Sequence, residues 1–269
     1  MSKRRVDRQL HGVLGALMLL CSAAATGEAA AMSRADDDAD TWHFAITPYL
    51  WATRMNGDVQ AGPLPNASLD MKFSDILETL DFGFMTAAEA RKGRWGILID
   101  GMFMNVSDSA RMSREDIALT VDGDLEIKQL MLAGAVAYRV ADGRNAVDVI
   151  GGVRYSAIDA DGAVDARLTG AGSGVVSLSG STDWVDPYIG VRVTVPLNGQ
   201  WSMLGYADFG GFGAGSDFTW QGMIGMNYAF SGSLSVLFGY RYMKVDYDRD
   251  DFLYDVANDG LYTGVTMHF

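Results

Sequence analysis

The chain has 269 residues, of which 49% are hydrophobic, and a formal net charge of −13. A chain this acidic is poorly suited to binding nucleic acid, because phosphate contacts require clustered lysines and arginines. Its one cysteine, Cys21, lies in the first segment, so the remainder has no thiol for a disulfide, a nucleophile or a thiolate metal site.

Residues 1–31 have the pattern of a secretory signal peptide. A basic head (Lys3, Arg4 and Arg5) precedes an apolar run over 13–25, and small residues at 29–31 supply the cleavage site. The apolar run is shorter than the roughly 20 residues that a membrane-spanning helix needs. We predict that the acidic residues 32–41 form a solvated leader and that 42–269 form one domain.

Ten segments with alternating apolar and polar residues make up this domain. Most have the length that a tilted strand needs to cross a bilayer, about 9–11 residues. Short turns and long connections alternate between them, as in outer-membrane barrels. The predicted strands are 42–53, 82–91, 95–105, 119–139, 146–158, 184–195, 201–210, 218–230, 234–246 and 260–269.

One face of these segments carries no charge, as on 234–242, where Leu234, Val236 and Phe238 are followed by Tyr240 and Tyr242. An uncharged row is expected where hydrocarbon surrounds the strand, and aromatic residues collect at both ends of the rows. In lipid every backbone amide must be paired, so the sheet has to close. We therefore predict an all-β fold, a transmembrane antiparallel up-and-down β-barrel with ten strands. Eight or twelve strands stay open, because the long segment 119–139 changes parity near Lys128, which suggests a bulge or an extended extracellular portion.

The opposite faces carry isolated charges of both signs, which distinguishes this pattern from an exported two-sheet domain with a wet polar face. The residues predicted to point into the lumen, most of them at similar height, are Glu89, Asp100, Arg154, Asp186, Arg192, Asp208 and Arg241. Charges removed from water must be paired, and the planar fork of arginine can meet two carboxylates. We expect one network of three arginines with these four acids. It either fills and rigidifies the barrel or lines a narrow, charge-selective pore.

Groups suited to catalysis or metal binding are sparse. By parity His43 and His268 point inward near the short turns, where we predict hydrogen-bonded interfacial residues, and the long connections have neither histidine nor cysteine. We therefore predict no enzyme, no catalytic residue and no cofactor. The acidic run 246–251 lacks the glycine and terminal glutamate of a calcium loop, so we assign no metal ligand; a solvated loop or one that bridges divalent cations to lipopolysaccharide remains possible. The segment 72–80 has helical spacing and predicts a short helix.

Four strings of residues resemble a widespread, mostly uncharacterised family of small proteobacterial outer-membrane barrels, OmpA-like or OmpW-like in architecture. They are Thr47–Ala52, Gly151–Tyr155, Trp184–Arg192 and Gly239–Tyr242. The resemblance covers nearly the whole mature chain. It implies export to the Gram-negative cell outer membrane, contact with lipids and lipopolysaccharide, and insertion by the barrel assembly machinery, with the terminal aromatic Phe269 as assembly signal. It implies no substrate, and the oligomeric state stays open.

These patterns together predict a non-enzymatic structural or surface component of the outer membrane with a charged, largely plugged interior. The alternative is a porin-like, narrow passive channel for small solutes, because ten strands lie between the eight that side chains can fill and the sixteen that leave an open channel.

Overall fold

The structure is a computed structural model that describes residues 41–61, 67–114, 119–168, 172–249 and 252–269. The predicted signal peptide, 1–31, and nearly all of the leader lie outside the described residues. Within the described ranges, no helix has the length and apolar character to cross a membrane.

Strands account for nearly all of the described elements, and the predicted helix is present as one short helix, α1. The elements are β1 Trp42–Ala61, β2 Ala67–Met71, α1 Phe73–Thr79, β3 Leu80–Lys92, β4 Trp95–Arg114, β5 Leu119–Asp142, β6 Ala146–Leu168, β7 Gly172–Pro196, β8 Trp201–Gly210, β9 Phe218–Ala229, β10 Leu234–Arg249 and β11 Phe252–His268.

Ten of these strands form a closed antiparallel barrel, which confirms the predicted fold class and strand number. From β3 to β11 each strand pairs with its neighbours in sequence, and β1 closes the ring by pairing with both β3 and β11. The β1–β11 seam runs in register from Ala45↔His268 to Ala61↔Phe252. The short β2 pairs with the far half of β1.

An uncharged belt surrounds the barrel on its outer face. On β1 its side chains are Trp42, Phe44, Ile46 and Leu50, which are 44–52% exposed. The first charged residues beyond the belt occur as cross-strand partners, Arg54 with Asp259 and Lys128 with Asp159. At about 3.3 Å per residue and a tilt of 35–45°, the ten residues between the short turn and these charges rise roughly 25 Å. That is the height of the lipid-facing band of an outer-membrane barrel.

Paired aromatic rings mark both edges of the belt. Trp95 lies 4.8 Å from Tyr138 (centroid to centroid) at the short-turn edge. Trp220 stacks on Tyr242 at 4.5 Å at the opposite edge. Amphipathic rings prefer the lipid–water interface, so these pairs place the two interfaces.

Several strands continue beyond the belt, and the predicted bounds are too short there. β4 ends at Arg114, β6 ends at Leu168 and β7 begins at Gly172, so much of the predicted long connections is strand. The lipid-facing row stops where lipid stops, so the signal that marked these strands disappears although the backbone pairing continues. β8 and β9 end near the edge of the belt and are joined through 211–217.

The predicted bulge near Lys128 is absent from the described pairing of β4 and β5. Lys128 pairs in continuous register with Asn105. The register shifts fall elsewhere, between Arg139 and Ala141 and between Leu80 and Phe82. Lys128 faces outward where β5 begins to extend beyond the belt. Of the two explanations for the change of parity, an extended extracellular portion therefore describes this segment.

Candidate functional site in the barrel lumen

All seven sequence-predicted residues lie on the inner face of the barrel, and six of them divide between two clusters at different heights. We define the short-turn cluster as Glu89, Arg91, Arg139, Asp148 and Arg192, and the central cluster as Tyr49, Asp100, Arg154, Tyr206, Asp208, Gln221 and Arg241. The expectation of one network at similar height is therefore wrong. Because the strands are tilted relative to the barrel axis, residues on different strands that are similarly far along the chain from the short turns do not lie at the same height in the lumen.

Asp148 is the hub of the short-turn cluster. It is 2% exposed. Its Oδ2 accepts hydrogen bonds from Arg91 Nη2 at 3.0 Å and Arg192 Nη2 at 2.8 Å, and its Oδ1 accepts one from Arg139 Nε at 3.0 Å. One buried carboxylate thus holds three guanidinium groups from three strands.

Glu89 completes this cluster across the lumen. Arg192 donates to both of its carboxylate oxygens, at 2.8 and 3.0 Å, and Arg91 Nε donates to Oε1 at 2.8 Å. The two parallel bonds from one guanidinium fix the distance between β3 and β7, which face each other across the ring.

Sequence reasoning missed Asp148, Arg91 and Arg139 as members of this site. The signal was present, because Val147 and Val149 face outward and the residue between them must face inward. A single acid close to a turn looks like a solvated residue, and only its three partners show that it is buried.

Arg154 and Asp208 form the more deeply buried pair of the central cluster. Arg154 Nη2 lies 2.9 Å from Asp208 Oδ2, and the two side chains are 3% and 0% exposed. Tyr206 donates its hydroxyl to the same oxygen at 2.7 Å, and the Arg154 guanidinium lies 4.8 Å from the centroid of the Tyr188 ring.

Arg241 organises the other half of the central cluster. Its Nη2 donates to Gln221 Oε1 at 2.6 Å and to Asp100 Oδ2 at 3.2 Å. Tyr49 accepts from Arg241 Nη1 at 3.0 Å and donates its own hydroxyl to Asp100 Oδ1 at 2.7 Å. The guanidinium also lies 4.6 Å from the Trp51 ring centroid, a cation–π contact.

Asp186 departs from the expected pairing. Its carboxylate accepts hydrogen bonds from the Trp184 indole at 3.0 Å and from the Ser216 backbone amide at 2.6 Å, instead of meeting an arginine. It therefore anchors the connection between β8 and β9 to the wall of β7. The expectation is wrong because that connection folds inward, which strand parity cannot show.

An apolar layer crosses the lumen beyond the central cluster, and the sequence analysis did not predict it. Trp51, Met102 and Met243 each lie two residues farther from the short turn than a member of the central cluster on the same face. Every barrel strand except β8 and β9 contributes. The buried members are Trp51, Met85, Met102, Met131, Ile158, Trp184, Met243, Val245, Tyr247, Tyr254, Val256 and Tyr262. Trp184 stacks on Tyr247 at 4.4 Å, joining β7 to β10 across the gap above β8 and β9.

A cavity of about 390 Å³ lies between the short-turn end and the central cluster. Ser202, Asn227 and His268 line its outer part, close to the ends of their strands, and His268 is exposed, so the cavity opens at that end. Its inner end is formed by Tyr49, Asp100 and Arg241, below the apolar layer.

His268 lies on the lumen side of β11. His268 Nε2 is 3.1 Å from Ser235 Oγ at the rim of the cavity. A hydroxyl next to an imidazole is the beginning of a nucleophile–base pair, but Ser235 is only 2% exposed. Of the hydrogen bonds described, none joins a carboxylate to this imidazole, which a base needs for orientation.

Within the described ranges, no group of three His, Cys, Asp or Glu side chains is arranged to hold a metal ion. Asp250 and Asp251, which belong to the acidic run 246–251, lie outside those ranges.

No protein-family model matches the chain, and no curated protein matches it. Among solved structures, the outer-membrane protease OmpT from Escherichia coli aligns with a TM-score of 0.51 and 10% identity, over 85% of this chain and 97% of that chain. Neisserial surface protein A aligns with a TM-score of 0.35 and 14% identity, over 84% and 97%. Ail from Yersinia pestis aligns with a TM-score of 0.29 and 12% identity, over 86% and 99%.

The likeness to OmpT concerns the fold, which is that of a Gram-negative outer-membrane β-barrel. At this identity it carries no activity from OmpT to this chain.

Proposed function

We propose that the protein is a non-enzymatic structural or surface component of the outer membrane whose lumen is closed to solutes. The observation that supports this proposal is the apolar layer from Trp51 to Tyr247 and Tyr254, in which residues of eight strands pack together beyond the central cluster. In this proposal the short turns face the periplasm, the belt contacts lipid and lipopolysaccharide, and the strand extensions stand on the cell surface.

Two physical effects support a closed lumen. A constriction lined by apolar side chains excludes water, and an ion that passes must lose its hydration shell. Below it, the side chains of Arg154 and Arg241 are each 3% exposed and are paired with Asp208 and Asp100, so they offer little to a passing anion. Rearranging such pairs leaves a buried charge without a partner, which costs about 3–5 kcal/mol.

The test is the conductance of the purified, folded barrel in a planar lipid bilayer. We expect the wild-type protein to be silent. Replacing the stacked pair, Trp184→Ala with Tyr247→Ala, should open the apolar layer and produce steady conductance. The matched control is Ile224→Ala, a lipid-facing residue that is 59% exposed. It should stay silent.

The alternative function is a narrow passive channel, and the cavity between the short-turn end and the central cluster favours it because it already occupies part of the lumen. Steady conductance of the wild-type protein that changes in Arg192→Ala would establish the channel and contradict the closed lumen.

A further inference from the structure

The wall of the cavity exposes a carboxylate while the arginines near it are buried. Asp100 is 31% exposed, whereas its partner Arg241 is 3% exposed. Since Asp100 lines the cavity, a ligand there would meet this carboxylate.

The carboxylate of Asp100 has unused hydrogen-bonding capacity. Oδ1 accepts one bond from Tyr49, and Oδ2 accepts one bond of 3.2 Å from Arg241, whose shorter bond of 2.6 Å goes to Gln221. A carboxylate offers about four acceptor sites. About two of them are therefore left for a donor from the cavity.

The acids that line the cavity are more exposed than the arginines paired with them. Glu89 is 25% exposed beside Arg192 at 17%, and Asp100 is 31% exposed beside Arg241 at 3%. Arg154, which also lines the cavity, is 3% exposed and is held by Asp208. The arginine donors are therefore largely occupied, whereas the carboxylates keep surface for a ligand that donates hydrogen bonds.

The rest of the cavity suits an apolar body. Its wall includes Ala45, Leu98, Leu204, Met223 and Leu237. Its volume of about 390 Å³ falls in the range of small-molecule sites, about 300–1,000 Å³, which are mainly apolar with a few placed polar groups.

We propose that this cavity binds a compact organic cation, a primary amine on a small apolar body, which enters from the short-turn end and donates to Asp100. The ligand would lie with its ammonium group at the inner end of the cavity and its apolar body against Leu204 and Leu237. This site does not depend on whether the lumen is closed to solutes. A ligand needs only the opening of the cavity beside His268 to reach it.

The experiment uses the full barrel in phosphatidylcholine nanodiscs, with empty nanodiscs to measure partitioning, and phenethylamine as the probe in equilibrium dialysis. We expect saturable binding of one molecule per barrel. Asp100→Asn, which keeps the size and removes the charge, should weaken binding about 10- to 100-fold, as expected for a charge-assisted hydrogen bond. Ala45→Phe, which keeps Asp100 and fills the cavity, should abolish binding. Heat-dependent gel mobility checks that both variants fold.

A second comparison needs no variant. The neutral analogue 2-phenylethanol has nearly the same shape and should bind at least 10-fold more weakly than phenethylamine to the wild-type barrel. Uptake equal to that of empty nanodiscs, equal binding of the alcohol and the amine, or undiminished binding in Ala45→Phe would each overturn the proposal. Silence or conductance in the bilayer assay changes none of these outcomes.

Discussion

Asp148→Asn tests whether one carboxylate controls the short-turn cluster. The substitution keeps the shape of the side chain but leaves Arg91, Arg139 and Arg192 without their shared anion. Removing one partner from a buried charged network costs about 3–5 kcal/mol. Because the side chains of Arg139 and Arg192 are 22% and 17% exposed, water relieves part of this cost. We therefore expect about 3 kcal/mol, close to a 100-fold change in the unfolding equilibrium.

The assay is reversible urea unfolding in lipid vesicles, followed by tryptophan fluorescence. Asp142→Asn is the matched control, since Asp142 is 55% exposed and lies 3.6 Å from Arg139. A pair this exposed contributes at most about 1 kcal/mol. In addition, Arg139→Met should cost less in the Asp148→Asn background than in the wild-type barrel, because it removes a charge that has lost its anion. The reasoning would be refuted if Asp148→Asn and Asp142→Asn lowered the free energy of unfolding equally. It would also be refuted if the effects of Asp148→Asn and Arg139→Met on that free energy were additive.

Two further predictions concern the extension and the seam. Burial, with smaller contributions from the carboxylates of Asp255 and Asp217, raises the pKa of Asp246, which lies beyond the belt. A raised pKa in the folded state means that the charged form opposes folding above that pKa, and this opposition disappears as the pH falls through it. Asp246→Asn should therefore raise the urea midpoint at pH 7, and the gain should vanish at pH values below the ordinary pKa of an aspartate, about 4; a gain that is constant with pH would contradict this cause. Phe269→Ala should lower the heat-modifiable fraction in outer-membrane preparations more than Phe230→Ala does, although both rings are highly exposed, because the ring of Phe269 is the predicted assembly signal. The backbone hydrogen bonds between Phe269 and Phe44 at the seam do not need that ring. Equal fractions would remove Phe269 as an assembly signal.

The parts of the strands that extend beyond the belt could not be predicted from the alternation of apolar and polar residues. Within the belt, lipid requires an apolar residue at every second position, so the strands and their number could be predicted from the sequence. Beyond Arg54, Lys128 and Asp159, water surrounds the barrel and the outer face tolerates any residue. The continuing strands therefore resemble loops in sequence, although their backbone pairing is unbroken.

The contacts inside the lumen also could not be predicted from the sequence. Alternation placed Arg192 and Glu89 on the inner face, because successive side chains of a strand point to opposite sides. It could not assign partners, since Arg192 and Glu89 are 103 residues apart and meet only across the closed ring.

The sequence by itself predicted a membrane barrel with charges inside and favoured ten strands over eight or twelve, because side-chain parity, strand length and the exclusion of charge from lipid are local properties. Only the tertiary structure decided that the charges divide into two clusters, that Asp186 anchors a turn, and that apolar residues from eight strands pack together in the lumen beyond a cavity. The tilt and closure of the strands bring together residues as distant as Trp51 and Tyr254, and no local pattern carries that geometry.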